Sequence, residues 1–193
     1  MGAVRKLRAE EIEVRAAQVA PNNAGVVWVS LLLYKDARCD MNILDETVGE
    51  ENWQNKFYEN KGILFCSLGI NTNYKCPDFG DRWVWKDDAG VESNTEAEKG
   101  NASDARKRSG FAWGIGRELY TAPNIKIVPN DLKSLKQNEK GQWKCYDKFK
   151  VQKIVIEKKR IVALAIWNLD TMKTCYIWQD PVWQAEQEKK KNA

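Results

Sequence analysis

Three consecutive cations, Arg106, Lys107 and Arg108, lie within the run EAEKGNASDARKRSGFAWGIGRELY from Glu96 to Tyr120, with Lys99 just upstream and Lys86 further back. A guanidinium presents a planar fork that matches two phosphate oxygens, and an ammonium is a compact point charge, so these residue types suit phosphate contact. At about 100° per residue, three neighbouring cations cannot share one helix face. The triplet therefore also fits a solvated helix whose charges only keep it soluble. A second cluster is acidic: Asp78, Asp87, Asp88 and Glu92 stand near Lys86 and Lys99. Clustered carboxylates can hold magnesium beside a nucleic acid, which makes a metal-dependent nuclease the competing chemistry. Their spacing fits no nuclease motif well, and Asp87, Asp88 and Gly90 read more simply as a turn between a strand and a helix.

Much other chemistry is excluded by composition. The 193 residues contain no histidine, which removes Ser-His-Asp and Cys-His catalysis, histidine-ligated metals and imidazole pH switching. No GxxxxGK[ST] phosphate loop occurs, and the GIG at Gly114 lacks the strand-turn-helix setting of a dinucleotide fingerprint. The five cysteines, Cys39, Cys66, Cys76, Cys145 and Cys175, are odd in number and form no CxxC pair, which fits isolated reduced thiols better than a disulfide frame or zinc site. With no catalytic group recognisable, the chain reads as a surface that binds something rather than converts it. A net charge of +4 is only mildly basic, so a nucleic-acid partner requires the charges to be clustered or multiplied by assembly. No apolar stretch approaches the roughly 20 residues that span a bilayer, and MGAVRKLRAEEIEVR lacks an apolar signal core. A cytoplasmic protein without a membrane partner is expected.

The elements that would carry these residues follow from periodicity. Thr95 and Glu98 have capping-box spacing, which starts the basic helix near Thr95. Along it Ala105, Ser109, Ala112, Gly116 and Leu119 form a small-residue stripe that is the expected buried face; Arg108 and Ile115 flank it on one side, Arg106, Trp113 and Arg117 on the other, and Lys107 and Phe111 point away. Four glycines, Gly100, Gly110, Gly114 and Gly116, each cost up to ~1 kcal/mol in a helix interior, so they imply a kink, a ligand or the close approach of another backbone. Upstream, Ile12, Ala16 and Val19 predict a helix over Arg8 to Ala20 with a Glu11–Arg15 ion pair. Val26 to Tyr34 reads as a strand, and Ala37, Met41, Leu44 and Val48 as a second helix stopped by Gly49. Trp53 to Tyr58, Ile63 to Ile70 and Arg82 to Lys86 read as an antiparallel meander, in whose last strand Trp83 and Trp85 share one face while Arg82, Val84 and Lys86 share the other.

The whole predicts an α+β chain in which a meander packs on a long kinked helix, a β-β-β-α core with N-terminal helices. After a strand at Ile125 to Val128, residues 129–142 read as a linker. Residues 143–180 read as a small β-rich extension with strands at Val151 to Ile156, Ile161 to Trp167 and Thr174 to Trp178, and 181–193 as a frayed polar tail. The expected domain is thus 1–128. Of the nine tryptophans, Trp28, Trp53, Trp113 and Trp167 are expected in packing, whereas Trp83 and Trp85 are divided between packing and base stacking.

The order DMNILDETVG, ENWQ, a meander, KDDAGVES and then Lys99 to Tyr120, with its KGxxSDAxKRxxxxWGIGRxLY pattern, resembles the phage and prophage Sak-like branch of the Rad-fifty-two superfamily of single-strand annealing recombinases. The resemblance covers roughly Leu7 to Ile127 and leaves the C-terminal third without a motif. It implies a core that oligomerises into rings or filaments, binds single-stranded DNA in an outer groove and pairs complementary strands without ATP or metal, in homologous recombination and double-strand-break repair. It places Lys107 and Arg108 in the inner DNA groove and makes Arg15 the nearest match to an arginine that precedes the first strand in relatives. A position that is basic in some eukaryotic relatives is Phe111 here, which leaves Arg106 or Arg117 to compensate. Expected partners are single-stranded DNA, further copies of the chain, a phage exonuclease and a single-strand-binding protein, in the cytoplasm of a bacterial host. A DNA-binding adaptor without annealing activity is the other alternative.

Overall fold

The structure is a computed structural model that describes residues 4–90 and 97–191. It is α+β, with antiparallel sheets and three α-helices among the described residues. The chain divides into two units: Met1–Leu7 with Lys35–Arg117, and Arg8–Tyr34 with Glu118–Ala193. No helix is long and apolar enough to cross a membrane among the described residues.

The first unit holds helix α1 (Ala37–Val48), strands β3 (Trp53–Asn60), β4 (Ile63–Asn71) and β5 (Trp83–Ala89), and helix α2 (Ala97–Ala112). Asp36 caps α1 by accepting from the Cys39 amide at 2.7 Å, and Gly49, at φ 89°, ends it. The three strands pair in sequence order as an antiparallel sheet. Alternation along β4 buries Cys66, Leu68 and Ile70, and α2 lies against β4 and β5. Trp113 Nε1 donates to the Leu68 carbonyl at 2.9 Å, which ties the end of the helix to the central strand.

The second unit is built on a six-stranded sheet. Its strands are β1 (Glu13–Pro21), β2 (Val27–Tyr34), β6 (Ile125–Ile127), β9 (Phe149–Glu157), β10 (Arg160–Asn168) and β11 (Lys173–Gln179), in the spatial order β11-β10-β9-β1-β2-β6. Val27, Val29, Leu31 and Leu33 alternate inward along β2, and Ile161, Ala163, Leu164 and Ile166 fill the core from β10. Strands β7 (Leu135–Gln137) and β8 (Trp143–Cys145) form a separate hairpin, and helix α3 (Pro181–Lys191) ends the described chain.

Several sequence expectations are corrected here. The helix over Arg8 to Ala20 is a short 3-10 turn, Ala9–Glu11, followed by β1. Ladder partners slip between Ala16 and Gln18, so a bulge brings Val19 into a spacing from Ile12 and Ala16 that imitates a helix. Arg15 is not paired with Glu11 along a helix; its guanidinium carbon lies 5.5 Å from the Tyr34 ring centroid. The linker 129–142 contains a 3-10 turn and β7, because Asn138 closes a hairpin by accepting from the amides of Lys140 and Gln142. The frayed tail is largely α3: Asp180 accepts from the Val182 and Trp183 amides, Pro181 sits in the first turn, and Lys189, Lys190 and Lys191 oppose the helix dipole at its end.

The boundary expected at residue 128 does not divide the chain either, since β9 pairs with β1 through Glu13↔Lys150 and Val14↔Phe149. Apolar strands from both ends of the sequence thus share one sheet. The basic helix stops at Ala112 because Gly114 and Gly116 take φ values of 92° and 69°, which end an α-helix. Of the expected stripe, Ala105 and Ser109 are buried on α2 and Gly116 and Leu119 beyond its end, whereas Ala112 is only half-buried and its place is taken by Gly110 and Ile115. Of the Thr95–Glu98 capping box, Thr95 and the Glu98 side chain lie outside the described residues. Trp28, Trp53, Trp113 and Trp167 are each half-buried rather than enclosed.

Candidate nucleic-acid interface

The basic residues of α2 are held in different ways. Arg108 reaches β5, where its Nε donates to Asp88 Oδ1 at 3.2 Å; the two side chains are 39% and 34% exposed. Lys107 Nζ lies 4.0 Å from Asp104 Oδ1, one helical turn back, with 26% of its side chain exposed. Such exposed pairs contribute about 0–1 kcal/mol, so either cation exchanges its carboxylate for another anion at little cost. Arg106 turns toward α1 and β3: its guanidinium carbon is 5.6 Å from the Phe57 ring centroid, and Nη1 is 3.4 Å from Met41 Sδ. Its buried Nε has no acceptor among the described residues.

Two further cations are engaged at the C-terminal end of α2. Lys86 Nζ donates to the Ala112 carbonyl at 2.9 Å and lies 4.4 Å from the Trp113 ring centroid. Arg117 donates to the Phe111 carbonyl at 2.7 Å and to the Ala112 carbonyl at 2.9 Å. Both satisfy carbonyls that have no partner within the helix and oppose its negative end. Arg15 belongs to the second unit, on β1. Lys99 lies on α2, but its side chain is outside the described residues. The structure therefore brings Arg106, Lys107 and Arg108 together on one helix, and gives Lys86 a place in that helix's packing.

Among the described residues the carboxylates do not gather. Asp87 and Asp88 are consecutive residues of β5, not a turn, and a strand sends consecutive side chains to opposite faces. Asp88 meets Arg108, whereas Asp87 accepts from the Tyr58 hydroxyl at 3.0 Å. Glu92 lies outside the described residues, and no group of three or more carboxylates and cysteines could hold a metal ion among the described residues. Burial pushes the Cys66 thiol up, and that of Cys175 up to about 11, which leaves them as packing groups rather than thiolate nucleophiles.

On the sheet face that carries Asp87, aromatic rings lie close together. Trp83 and Trp85 stack with centroids 6.1 Å apart, Tyr58 and Phe65 with centroids 5.3 Å apart, and Lys56 Nζ lies 4.3 Å from the Trp85 ring centroid. Trp85 lies flat over Gly69, where an added β-carbon would meet its ring at 2.7 Å.

Sequence reasoning missed a buried ion pair behind the turn of α2 that carries Lys107 and Arg108, the cationic strip of this helix. Lys35, 1% exposed, donates to both carboxylate oxygens of Asp40, with Oδ2 at 2.5 Å. Burial raises the Asp40 carboxyl from 3.8 to about 6 against the opposing pull of Lys35, and burial likewise lowers the Lys35 ammonium. A signal was available: Asp40 stands three and four residues before Ile43 and Leu44, on the buried side of α1, where a carboxylate needs a partner. Phe111 does not point away from the unit, as its helical phase predicted. Its ring centroid lies 4.3 Å from Lys35 Nζ.

No family model, curated protein or solved structure matches this chain. The functional reading accordingly rests on the residues of the strip and the surface around them.

Proposed function

We propose that this chain is an ATP-independent single-strand annealing protein, a phage-type recombinase that acts in homologous recombination and double-strand-break repair within a bacterial cytoplasm. The observation that carries the reading is the side-by-side placement of Lys107 and Arg108 on α2, each ion-paired, among the described residues, with a partly exposed carboxylate. Such cations can pass to phosphate oxygens, and Arg106 adds charge to the same helix. The motif from Lys99 to Tyr120 supports the reading from the sequence, and the β3-β4-β5 sheet against α2 is the unit that would repeat around a ring or along a filament.

Each subunit would neutralise one or two phosphates. A modest net charge of +4 suffices if assembly lines these strips up, because counterion release then sums along the strand. Contact confined to the backbone leaves base edges free to meet a second strand. The protein would lower the barrier to pairing by holding strands near each other in a regular path, with no covalent step. A phage exonuclease and a single-strand-binding protein are the proposed companions.

The test is annealing of two complementary fluorescent oligonucleotides without ATP or magnesium, at low and high salt, with particle size recorded in the same samples. Salt-sensitive acceleration by large particles is expected. Binding of the oligonucleotides without acceleration would identify a DNA-binding adaptor instead, and magnesium-dependent cleavage a nuclease.

A further inference from the structure

Lys35 and Asp40 occupy a seat shaped by glycines. A β-carbon at Gly110 would lie 2.5 Å from Asp40 Oδ2, and one at Gly116 would lie 2.7 Å from Lys35 Cδ and Cε. The absence of side chains at these two positions leaves room for the carboxylate and for the lysine stem. The ammonium reaches the helix itself, 3.4 Å from the Lys107 carbonyl oxygen, beneath the Phe111 ring. Among the described residues, the other charged or titratable groups that act most strongly on the pair are Asp36 and Cys39 from the start of α1 and the Lys107 side chain from α2.

Each buried ion costs several kcal/mol of desolvation, and an apolar pair of similar volume is often as stable or more so. Stability therefore does not explain this pair. Its distinguishing contact is the one with residue 107, whose carbonyl would otherwise accept only from the amide of Phe111 in the helical ladder.

We infer that Lys35 and Asp40 are positioning residues for the cationic strip: from inside the unit, the ammonium grips the Lys107 carbonyl and fixes the turn of α2 that carries Lys107 and Arg108. The inference rests on the reading of that strip as a strand-binding surface, but the grip itself is a separate structural statement. Asp40 holds the ammonium in place, and Phe111 lids it. A cation at position 111 would stand against Lys35, so an aromatic residue there belongs to the same device.

The test compares the full chain with the double variant Lys35→Met/Asp40→Leu, which replaces the ions by apolar groups, and with Lys107→Glu/Arg108→Glu. Hydrogen exchange of α2 amides and salt-dependent binding of a fluorescent oligothymidylate are measured on each, with melting temperature and particle size as controls. The folded double variant is expected to exchange the Phe111 amide about tenfold faster than the parent, and to bind oligothymidylate about tenfold more weakly. Unchanged Phe111 exchange in a folded double variant overturns the inference, whatever the DNA result. Faster exchange in a chain whose parent form does not bind oligothymidylate leaves the grip standing and removes the strand-binding reading. Should the double variant not fold, the parent chain decides: after correction for intrinsic rates, Phe111 exchange should rise as Asp40 takes up its proton below about pH 6, and a flat profile overturns the inference.

Discussion

Trp85 lies on Gly69 so closely that a β-carbon added to the glycine would stand 2.7–2.8 Å from three carbons of the indole, on a strand pair joined by the Gly69↔Trp85 register. The glycine is what lets the indole lie flat along the sheet. Gly69→Ala must displace the ring or the strand, an overpacking change that typically costs about 1–3 kcal/mol. The expected result is a lower urea midpoint with an altered tryptophan emission. An unchanged midpoint and spectrum would show that the ring moves aside freely.

Lys86 gives a prediction of opposite kind from the strip. Its ammonium holds the Ala112 carbonyl and lies on the Trp113 ring. Lys86→Met should cost about 1–2 kcal/mol of stability through the lost charged hydrogen bond. The salt slope of single-strand binding should not change, because this cation is already engaged at the helix end. A slope reduced by about 1 would instead make Lys86 a phosphate ligand.

Charge reversal by Lys107→Glu/Arg108→Glu should reduce single-strand binding by more than about tenfold and make its salt slope shallower, with particle size retained. Removing the competitor should act the other way. Asp88→Asn frees Arg108, and since an exposed pair is worth at most about 1 kcal/mol, affinity should rise by roughly twofold to fivefold. Undiminished annealing by the reversed double variant would remove the site assignment.

The Asp40 carboxyl sets a pH dependence whose sign is the reverse of that for a surface ion pair. Burial raises it from 3.8 to about 6, so between these values the folded chain holds a proton that the unfolded chain has lost. Its contribution to stability is greatest below about pH 4, falls as pH rises to about 6, and is constant above that. Unfolding free energies of the parent and of Asp40→Asn, compared across this window, should diverge with pH; a constant difference would show that Asp40 titrates like a solvated acid.

How far the sequence foretold these features depends on how local each signal was. Helix α1, the β3-β4-β5 run and the C-terminal strands β9, β10 and β11 were legible because their apolar periods and their stop residues lie within a single element. Strand β1 was misread because the bulge at Ala16 to Gln18 shifts its phase, and its identity as a strand comes from partners on both sides, β2 and β9, that are distant in sequence. The end of α2 at Ala112 was obscured because Gly114 and Gly116 were read as parts of a kinked helix rather than its termination. In the candidate site, the run Arg106 to Arg108 is plain to read, but which cation is committed elsewhere is set by tertiary partners such as Asp88 and Met41. The Lys35–Asp40 pair was missed because its seat is made by glycines far along the chain.

The connection between the two units has a consequence for folding order. The chain leaves the larger sheet at the end of β2, builds the whole of Lys35–Arg117, and returns to lay β6 beside β2 with Leu31 opposite Ile125 and Val29 opposite Ile127. The segment Lys35–Arg117 is thus inserted between two strands, β2 and β6, that pair with each other. Closing so long a loop costs entropy that grows only as the logarithm of its length. If the inserted unit folds first, its own structure draws the ends together, and the short β6 can pair with a partner already at hand. On that order the small strand β6 acts as a clasp across the two ends of the inserted segment.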